Sequence, residues 1–410
     1  MRLKDVSILN PQYKRDNLDC DVSFVPMESL RNGSIDYQEI IFSEGKSKYT
    51  YFQDGDLLVA KVTPCFENGN IAIANNMKHG IGFGSSEIFV LRMNKGILNT
   101  YMFYITQTGK FQGEACATMC GVGGLKRISP LFMRTYELEI PSLPKQQRIV
   151  DYLDEKLSAL DHRVEILEKQ KDAYARLKKS VIHQAVTRGL NPDVPLKDSG
   201  IDWIGMIPEH WDVKRIKDIV SDIFMGASPV YELEIDNQNF VFGQRNNQSY
   251  GIDFDGIKYA KEDFFKSRTQ KEFLKFGDVL LNTLGGGSVG RTGYYDRTDN
   301  IPVITDGHIM VIRSKIYNTK YMYYYFTSRK ERLEMMAIGS TNQAFFNVSD
   351  IREIFLPTPL LAEQQTIVNY LDDKCAKIDA AIQNIDKQIE TSKRLKRALI
   401  NEVITGQRAV

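Results

Sequence analysis

Residues 144–160 read PKQQRIVDYLDEKLSAL, and residues 362–378 read AEQQTIVNYLDDKCAKI. At a constant offset of 218 positions, Gln146, Gln147, Ile149, Val150, Tyr152, Leu153, Asp154 and Lys156 meet Gln364, Gln365, Ile367, Val368, Tyr370, Leu371, Asp372 and Lys374. Further on, Arg176, Leu177 and Lys178 meet Arg394, Leu395 and Lys396, and Thr187 meets Thr405. A repeat of this length governs the architecture of the whole chain, so the remaining sequence is read around it.

Both copies have the spacing of long helices. Leu153, Leu157, Leu160, Val164 and Leu167 step by four and three, and Tyr174, Leu177 and Val181 resume after a polar turn. Leu371, Cys375, Ile378, Ile382, Ile385 and Ile389 repeat the pattern, followed by Leu395, Leu399 and Val403. Such seams have an a/d periodicity, and both shift phase at the same place, near Tyr174 and Ser392. Each helix covers roughly 40 residues, on the order of 60 Å at ~1.5 Å per residue. Each has one apolar stripe to bury, and the simplest arrangement buries the two stripes against each other.

The segments before the helices correspond more loosely. Gly55-Asp56-Leu57-Leu58 resembles Gly277-Asp278-Val279-Leu280, and Val90-Leu91-Arg92 resembles Val311-Ile312-Arg313. Prolines precede each helix, at Pro141 and Pro144 and at Pro357 and Pro359. These segments are rich in β-branched and aromatic residues broken by Gly, Asn and Asp, the texture of mixed α/β domains with many short strands. Residues 191–210, NPDVPLKDSGIDWIGMIPEH, contain too many prolines and glycines for a long element. Trp203 and Trp211 are expected to anchor this linker by burial. The predicted order is a first domain 1–142, a central helix 143–190, a linker 191–210, a second domain 211–359 and a C-terminal helix 360–410. It is an α/β (α+β) chain with a pseudo-twofold internal repeat and two antiparallel helices forming a coiled coil.

At 410 residues and 42% hydrophobic content, the chain suits two domains plus connecting elements. Its formal net charge of +1 is low for a bare nucleic-acid binder and suits DNA binding shared with partner subunits. The five cysteines are scattered, which argues against a disulfide framework, and Cys116 and Cys120 lack the second pair that zinc requires. No apolar signal segment or membrane-length run is present, so a cytoplasmic location is expected.

The stretch SGIDWIGMIPEHWDVKRIK (199–217) resembles the linker that opens a recognition domain in specificity subunits of type I restriction–modification systems. GDLLVAKVTPCFENGNIAIA (55–74) and GIGFGSSEIFVLR (80–92) resemble a recurrent recognition-domain core of that family. GDVLLNTLGGGSVGRTGYY (277–295), TDGHIMVIR (305–313) and GSTNQ (339–343) resemble a second variant. The Pro-x-x-x-x-Gln-Gln opening of each helix is the family's signature. One departure stands out: the first domain begins near its counterpart of Arg215, at Arg2, without a matching linker. The resemblance implies a non-catalytic subunit with two target-recognition domains, each reading one half of a bipartite DNA site. It also implies helices that set the spacing and dock two methyltransferase (M) subunits, which carry S-adenosylmethionine; motor-nuclease (R) subunits can join. No cofactor is expected in this chain.

The residues themselves carry little that suggests chemistry. There is no Asp/Asn-Pro-Pro-aromatic motif for a target amine. His79, His162, His183, His210 and His308 are isolated from zinc-binding or nucleophile-activating partners. Asp154-Glu155-Lys156 and Asp372-Asp373-Lys374 read as solvated helix faces. The glycine-rich run from Gly285 to Thr292 matches a phosphate-binding loop except for Arg291 in place of lysine, and a nucleotide-binding enzyme is the alternative it raises. A helical scaffold protein is the other. The DNA-facing candidates are polar residues of Gly- or Asn-rich loops, because Arg and Lys pair with guanine and Asn and Gln with adenine. In the first domain they are Lys61, Thr63, Phe66, Asn68, Asn70, Lys126 and Arg127. In the second they are Gln244, Arg245, Asn246, Asn247, Ser288, Arg291, Thr341, Asn342 and Gln343.

Overall fold

The computed structural model describes residues 1–14, 18–122, 124–232, 239–248, 251–299, 301–337 and 344–410. It divides into two compact units. Unit 1 is Met1–Lys169 with Ile385–Val410, and unit 2 is Gln170–Asn384. The long helices are Leu143–Arg188 and Leu361–Ile404. Each unit therefore holds one globular head, part of the first helix and part of the second.

Each head is built on an antiparallel four-stranded sheet of the same order. In unit 1 the order is Ser7–Leu9, Ile88–Met93, Leu57–Ala60 and Ile71–Ile73. In unit 2 it is Asp222–Met225, Ile309–Arg313, Val279–Asn282 and Thr292–Tyr294. The inner strands Leu57–Ala60 and Val279–Asn282 are buried along their whole length, which explains the apolar runs Leu57–Ala60 and Val279–Leu281. A second, mixed sheet follows in each head. Asp21–Val25 runs parallel to Ile81–Gly84, and Phe240–Phe242 runs parallel to Val303–Thr305.

The sequence repeats mark the joints of this plan. Asp56 pairs with Arg92 across its sheet, and Asp278 pairs with Arg313, at 2.6 Å in each case. The first glutamine of each helix is almost fully buried and ties the helix to its head. Gln146 accepts from the Leu98 amide at 2.9 Å and donates to the Pro141 carbonyl at 2.9 Å. Gln364 accepts from the Asn318 amide and donates to the Pro359 carbonyl, both at 2.8 Å. Tyr104 donates to Asp154, as Tyr324 does to Asp372. The paired acids of the repeat are thus partly structural: Asp154 and Asp372 hold head tyrosines, while Glu155 and Asp373 stay exposed.

Within unit 1 the helices run antiparallel. Lys396 pairs with Asp161 at 2.6 Å, Arg163 donates to Gln388, and Val164 and Leu167 pack with Ile385 and Ile389. Within unit 2, Lys178 pairs with Asp379 at 2.7 Å. Beyond the phase shift the seam holds in part: Leu399 and Val403 are buried and Val181 is half-buried, whereas Tyr174, Leu177 and Leu395 are exposed, and Ile182, Ala185, Val186 and Ile400 are buried beside the predicted positions. The reason is a change of partner: these last turns pack in the core of a head, which covers a wider face of the first helix's end than a single stripe. Trp211 is fully buried in the unit 2 core, and Trp203 rests on Tyr325 with ring centroids 6.2 Å apart.

Candidate nucleic-acid interface

In each head the candidates gather around the loop that leaves the inner strand of the first sheet. In unit 1 that loop runs from Lys61 to Asn70 and is joined to the hairpin Cys120–Val122/Leu125–Arg127. Val62 bridges Arg127, and the Thr63 amide donates to the Lys126 carbonyl at 3.0 Å. The Thr63 hydroxyl donates to the Gly124 carbonyl at 2.8 Å and accepts from the Lys126 amide at 3.0 Å. Arg127 forks onto Glu87, with its closest contact at 2.7 Å. That hydrogen bond holds the Glu87 carboxyl below the usual carboxylate range, against the opposing effect of burial. Lys61 donates to the Ser86 carbonyl at 2.5 Å and lies over the Phe89 ring. Burial lowers its ammonium from the ordinary lysine value, and Glu87 counteracts part of that.

The described residues of the hairpin strands are exposed throughout, so Lys126 and Arg127 stand at the surface with Val122 and Leu125 beside them. Asn68 is exposed as well. Two candidates of this head are corrected. Phe66 has no exposed surface and packs against Phe111, and Asn70 is buried with its carbonyl accepting from the Ala60 amide. Both close the hairpin between Leu57–Ala60 and Ile71–Ile73 from inside. The sequence reading missed Glu87, which sets the geometry of Arg127. It also missed the apolar Val122 and Leu125, which lie on a strand pair with no described residue burying it.

In unit 2 the corresponding loop is Thr283–Arg291. The Leu284–Phe345 bridge and the bond from the Gly285 amide to the Ala344 carbonyl repeat the attachment seen at Val62–Arg127. Thr341, Asn342 and Gln343 lie outside the described residues. The turn Gln244–Asn246 is brought to the same place. Gln244 donates to the Leu284 carbonyl at 2.7 Å, and Arg291 donates to the Asn247 carbonyl at 3.2 Å and to Gln248 Oε1 at 3.1 Å. Arg245 is exposed, and Gln244, Ser288 and Arg291 are half-buried.

Asn246 and Asn247 are corrected. They are buried, and their amides are spent internally: Asn246 donates to the Asp253 carbonyl at 2.9 Å, and Asn247 donates to Asn282 Oδ1 at 2.8 Å. A side chain at Gly293 would collide with Asn247 Oδ1, so that glycine lets the asparagine reach the sheet. Asp306, beside this turn, accepts from the His308 amide, and burial raises its carboxyl above the ordinary range.

The glycine loop lacks the shape a phosphate-binding loop requires. Gly285, Gly287 and Gly290 take positive φ in successive turns, and the chain continues into the strand Thr292–Tyr294 rather than a helix. The loop therefore does not lead into a helix whose N-terminus would face its amides. The Ser288 hydroxyl is bonded back to the Leu284 carbonyl at 2.7 Å. Among the described residues there is no cluster of three metal-ligating side chains, and no helix is long and apolar enough to cross a membrane.

The family model described as "Type I restriction modification DNA specificity domain" matches residues 1–173 and 208–391, one match for each half of the repeat. The chain belongs to that family. It is 28% identical to the EcoAI specificity subunit of Escherichia coli over 51% of this chain and 35% of that protein. It is 24% identical to the MjaVIII specificity subunit of Methanocaldococcus jannaschii over 80% of this chain and 77% of that one. The match to the EcoAI subunit thus spans about a third of that relative's length. Among solved structures, a chain from a study of assembly and conformational transition of the type I R-M system superposes with a TM-score of 0.76 at 18% identity, over 98% of this chain and 96% of that one. The HsdS subunit from Thermoanaerobacter tengcongensis superposes with a TM-score of 0.54 at 19% identity, over 100% of this chain and 96% of that one. These likenesses establish the specificity-subunit fold.

Proposed function

We propose that this family member is the DNA-specificity subunit of a type I restriction–modification enzyme, in which each head reads one half of a bipartite, asymmetric site. The observation that carries this reading is the paired placement of the loops. Each head presents the same strand-end loop, stapled by an equivalent bridge to a second loop, and the surface residues differ between heads. Lys126, Arg127 and Asn68 offer one pattern of donors, and Arg245, Gln244 and Arg291 another. Equivalent frames with different donors suit two half-sites of different sequence. The pairing of Arg127 with Glu87 through Nε and Nη2 fixes the orientation of its guanidinium, and the low net charge leaves much of the phosphate neutralisation to partners.

In this reading the chain performs no chemistry and holds no cofactor. Two methyltransferase subunits, carrying S-adenosylmethionine, dock on the helices and modify adenine; motor-nuclease subunits join for cleavage. The helices fix the spacing between half-sites, and the complex works in the cytoplasm. The test is to map methylated adenines in DNA from cells expressing this chain with its methyltransferase partner. A single bipartite motif with a fixed spacer is expected. Methylation without sequence preference, or unchanged when this chain is deleted, overturns the reading.

A further inference from the structure

The exposed strand pair of unit 1 carries two side chains that the donors described above leave unused. Val122 is 90% exposed and Leu125 is 55% exposed, although both are apolar and lie in strands. The register pairs Val122 with Leu125, Gly121 with Lys126 and Cys120 with Arg127. Successive side chains of a strand point to opposite faces, so Val122 and Leu125 share one face with Arg127, and Lys126 stands on the other. Cross-strand neighbours have Cβ atoms about 4.5–5.5 Å apart, close enough to make one apolar patch. A side chain at Gly121 would meet the Leu125 carbonyl oxygen at 2.1 Å, so the glycine keeps the two strands together opposite Lys126. The pair is tied to the loop at its base by the Thr63 hydroxyl, which bonds the Gly124 carbonyl and the Lys126 amide, and by the bridge from Val62 to Arg127. Segments 61–70 and 120–127, with Glu87, set the three cations Lys61, Lys126 and Arg127 against the two carboxylates Glu67 and Glu87.

We infer that this strand pair enters the major groove of DNA as a two-stranded ribbon, and that Val122 and Leu125 read thymine by its 5-methyl group. The inference rests on the DNA-specificity reading above and names the base contact that unit 1 makes. The major groove is about 12 Å wide, admits a two-stranded β-ribbon, and shows one apolar group among the base edges, the thymine methyl. Strands about 4.7–4.9 Å apart leave room in that width for their side chains. Arg127 has Nε and Nη2 turned to Glu87, so the free surface of its face is largely the apolar pair. Lys126, on the opposite face, suits a phosphate. Size and charge argue against a protein occupant. Two side chains present far less than the roughly 800 Å² per partner of a standard interface, and cations border them.

The test uses the full chain in complex with its methyltransferase partner. In the methylated motif uracil replaces thymine one position at a time, which removes the methyl group and keeps the pairing. Binding is expected to weaken about fourfold per methyl, the worth of one buried methyl group, at one or two positions confined to one half-site. In Val122→Ser/Leu125→Ser the thymine DNA should bind about tenfold more weakly, and the uracil penalty should vanish. Both positions are exposed, so that variant is expected to fold, and its unchanged recognition of the other half-site reports this directly. Lys126→Ala should weaken binding to thymine and uracil DNA alike. Equal binding of thymine and uracil DNA by the unaltered chain overturns the inference while leaving the specificity reading intact. So does a uracil penalty that persists in the double variant, or a double variant that fails to assemble with the methyltransferase yet keeps its thymine preference. Binding with no sequence preference in either half overturns the specificity reading itself, and this inference with it.

Discussion

The same buried ion pair closes the first sheet in both heads, yet the two versions are not equally enclosed. In unit 1 the Arg92 side chain is 24% exposed and forks onto Asp56. In unit 2 Arg313 is 10% exposed, forks onto Asp278, and also donates to the Lys271 and Phe273 carbonyls at 2.6 and 2.5 Å. Burial raises the Asp278 carboxyl above its ordinary value even though Arg313 pulls it down. The comparison teaches that one sequence motif, Gly-Asp followed about 35 residues later by Arg, gives two different degrees of commitment according to what the segment preceding it packs over the pair.

The largest effect is expected from Arg313→Met. It leaves a buried carboxylate and two carbonyls without their donor, and breaking such a pair costs about 3–5 kcal/mol. Without Arg313 the neutral form of Asp278 is favoured further. The folded state then binds more protons than the unfolded one above the normal carboxylate range, so the variant loses stability as pH rises and regains part of it toward acid. Urea unfolding between about pH 4 and 8 reads both the loss and its slope. Arg92→Met should cost less, about 1–3 kcal/mol, because solvent reaches the vacated site. Equal losses would erase the distinction between the heads.

The helix-opening glutamines test the opposite case, where the units are alike. Gln146→Ala leaves the Leu98 amide and the Pro141 and Gly96 carbonyls without their partner, Gln364→Ala the Asn318 amide and the Pro359 carbonyl, and each should lower stability by about 1–3 kcal/mol. Chemical denaturation followed separately in the two units, by fluorescence of Trp203 and Trp211 for unit 2 and by proteolysis for unit 1, should show each loss confined to its own unit.

Recognition should separate by head. Arg291→Ala is expected to weaken or relax one half-site by about 1–3 kcal/mol, the worth of a good bidentate base contact, and to leave the other intact. Lys126→Ala should act on the other half. Binding to DNA with one half-site randomised at a time measures both, and equal effects on the two halves would break the assignment of one head to one half-site.

The subtlest expected change is geometric. Inserting four residues between Val164 and Tyr174 adds roughly 6 Å at ~1.5 Å per residue and nearly preserves the apolar face. The methylated motif should keep both halves and gain about one or two base pairs of spacer, given ~3.4 Å per base pair. An active insertion variant with an unchanged spacer would show that the helices do not set the distance.

Much of this was readable because repeats and helical spacing are local properties. The seam from Leu371 to Ile389 is visible in the sequence and is buried or half-buried in the structure. The reading failed where a residue's face is chosen by something far away in sequence. Tyr174 and Leu177 have the spacing of a seam, but the last turns of their helix meet a head rather than a second stripe, and Ile182, Ala185 and Val186 turn inward instead. The interface candidates divide in the same way. Lys126 and Arg127 lie on an exposed hairpin, whereas Phe66, Asn70, Asn246 and Asn247 have loop-like sequence contexts but fill the space beneath the loops.

The sequence alone determined the duplication, the long helices, the short-stranded heads and the resemblance to a specificity subunit, because each rests on spacing along the chain. Tertiary structure decided which asparagines are scaffolding and which basic residues stay available. It also decided that Glu87 holds Arg127, and that Trp211 and its linker are buried against the unit 2 core. Those outcomes depend on segments tens to hundreds of residues apart arriving at one place, where burial and hydrogen-bond satisfaction select among side chains that look equivalent in one dimension.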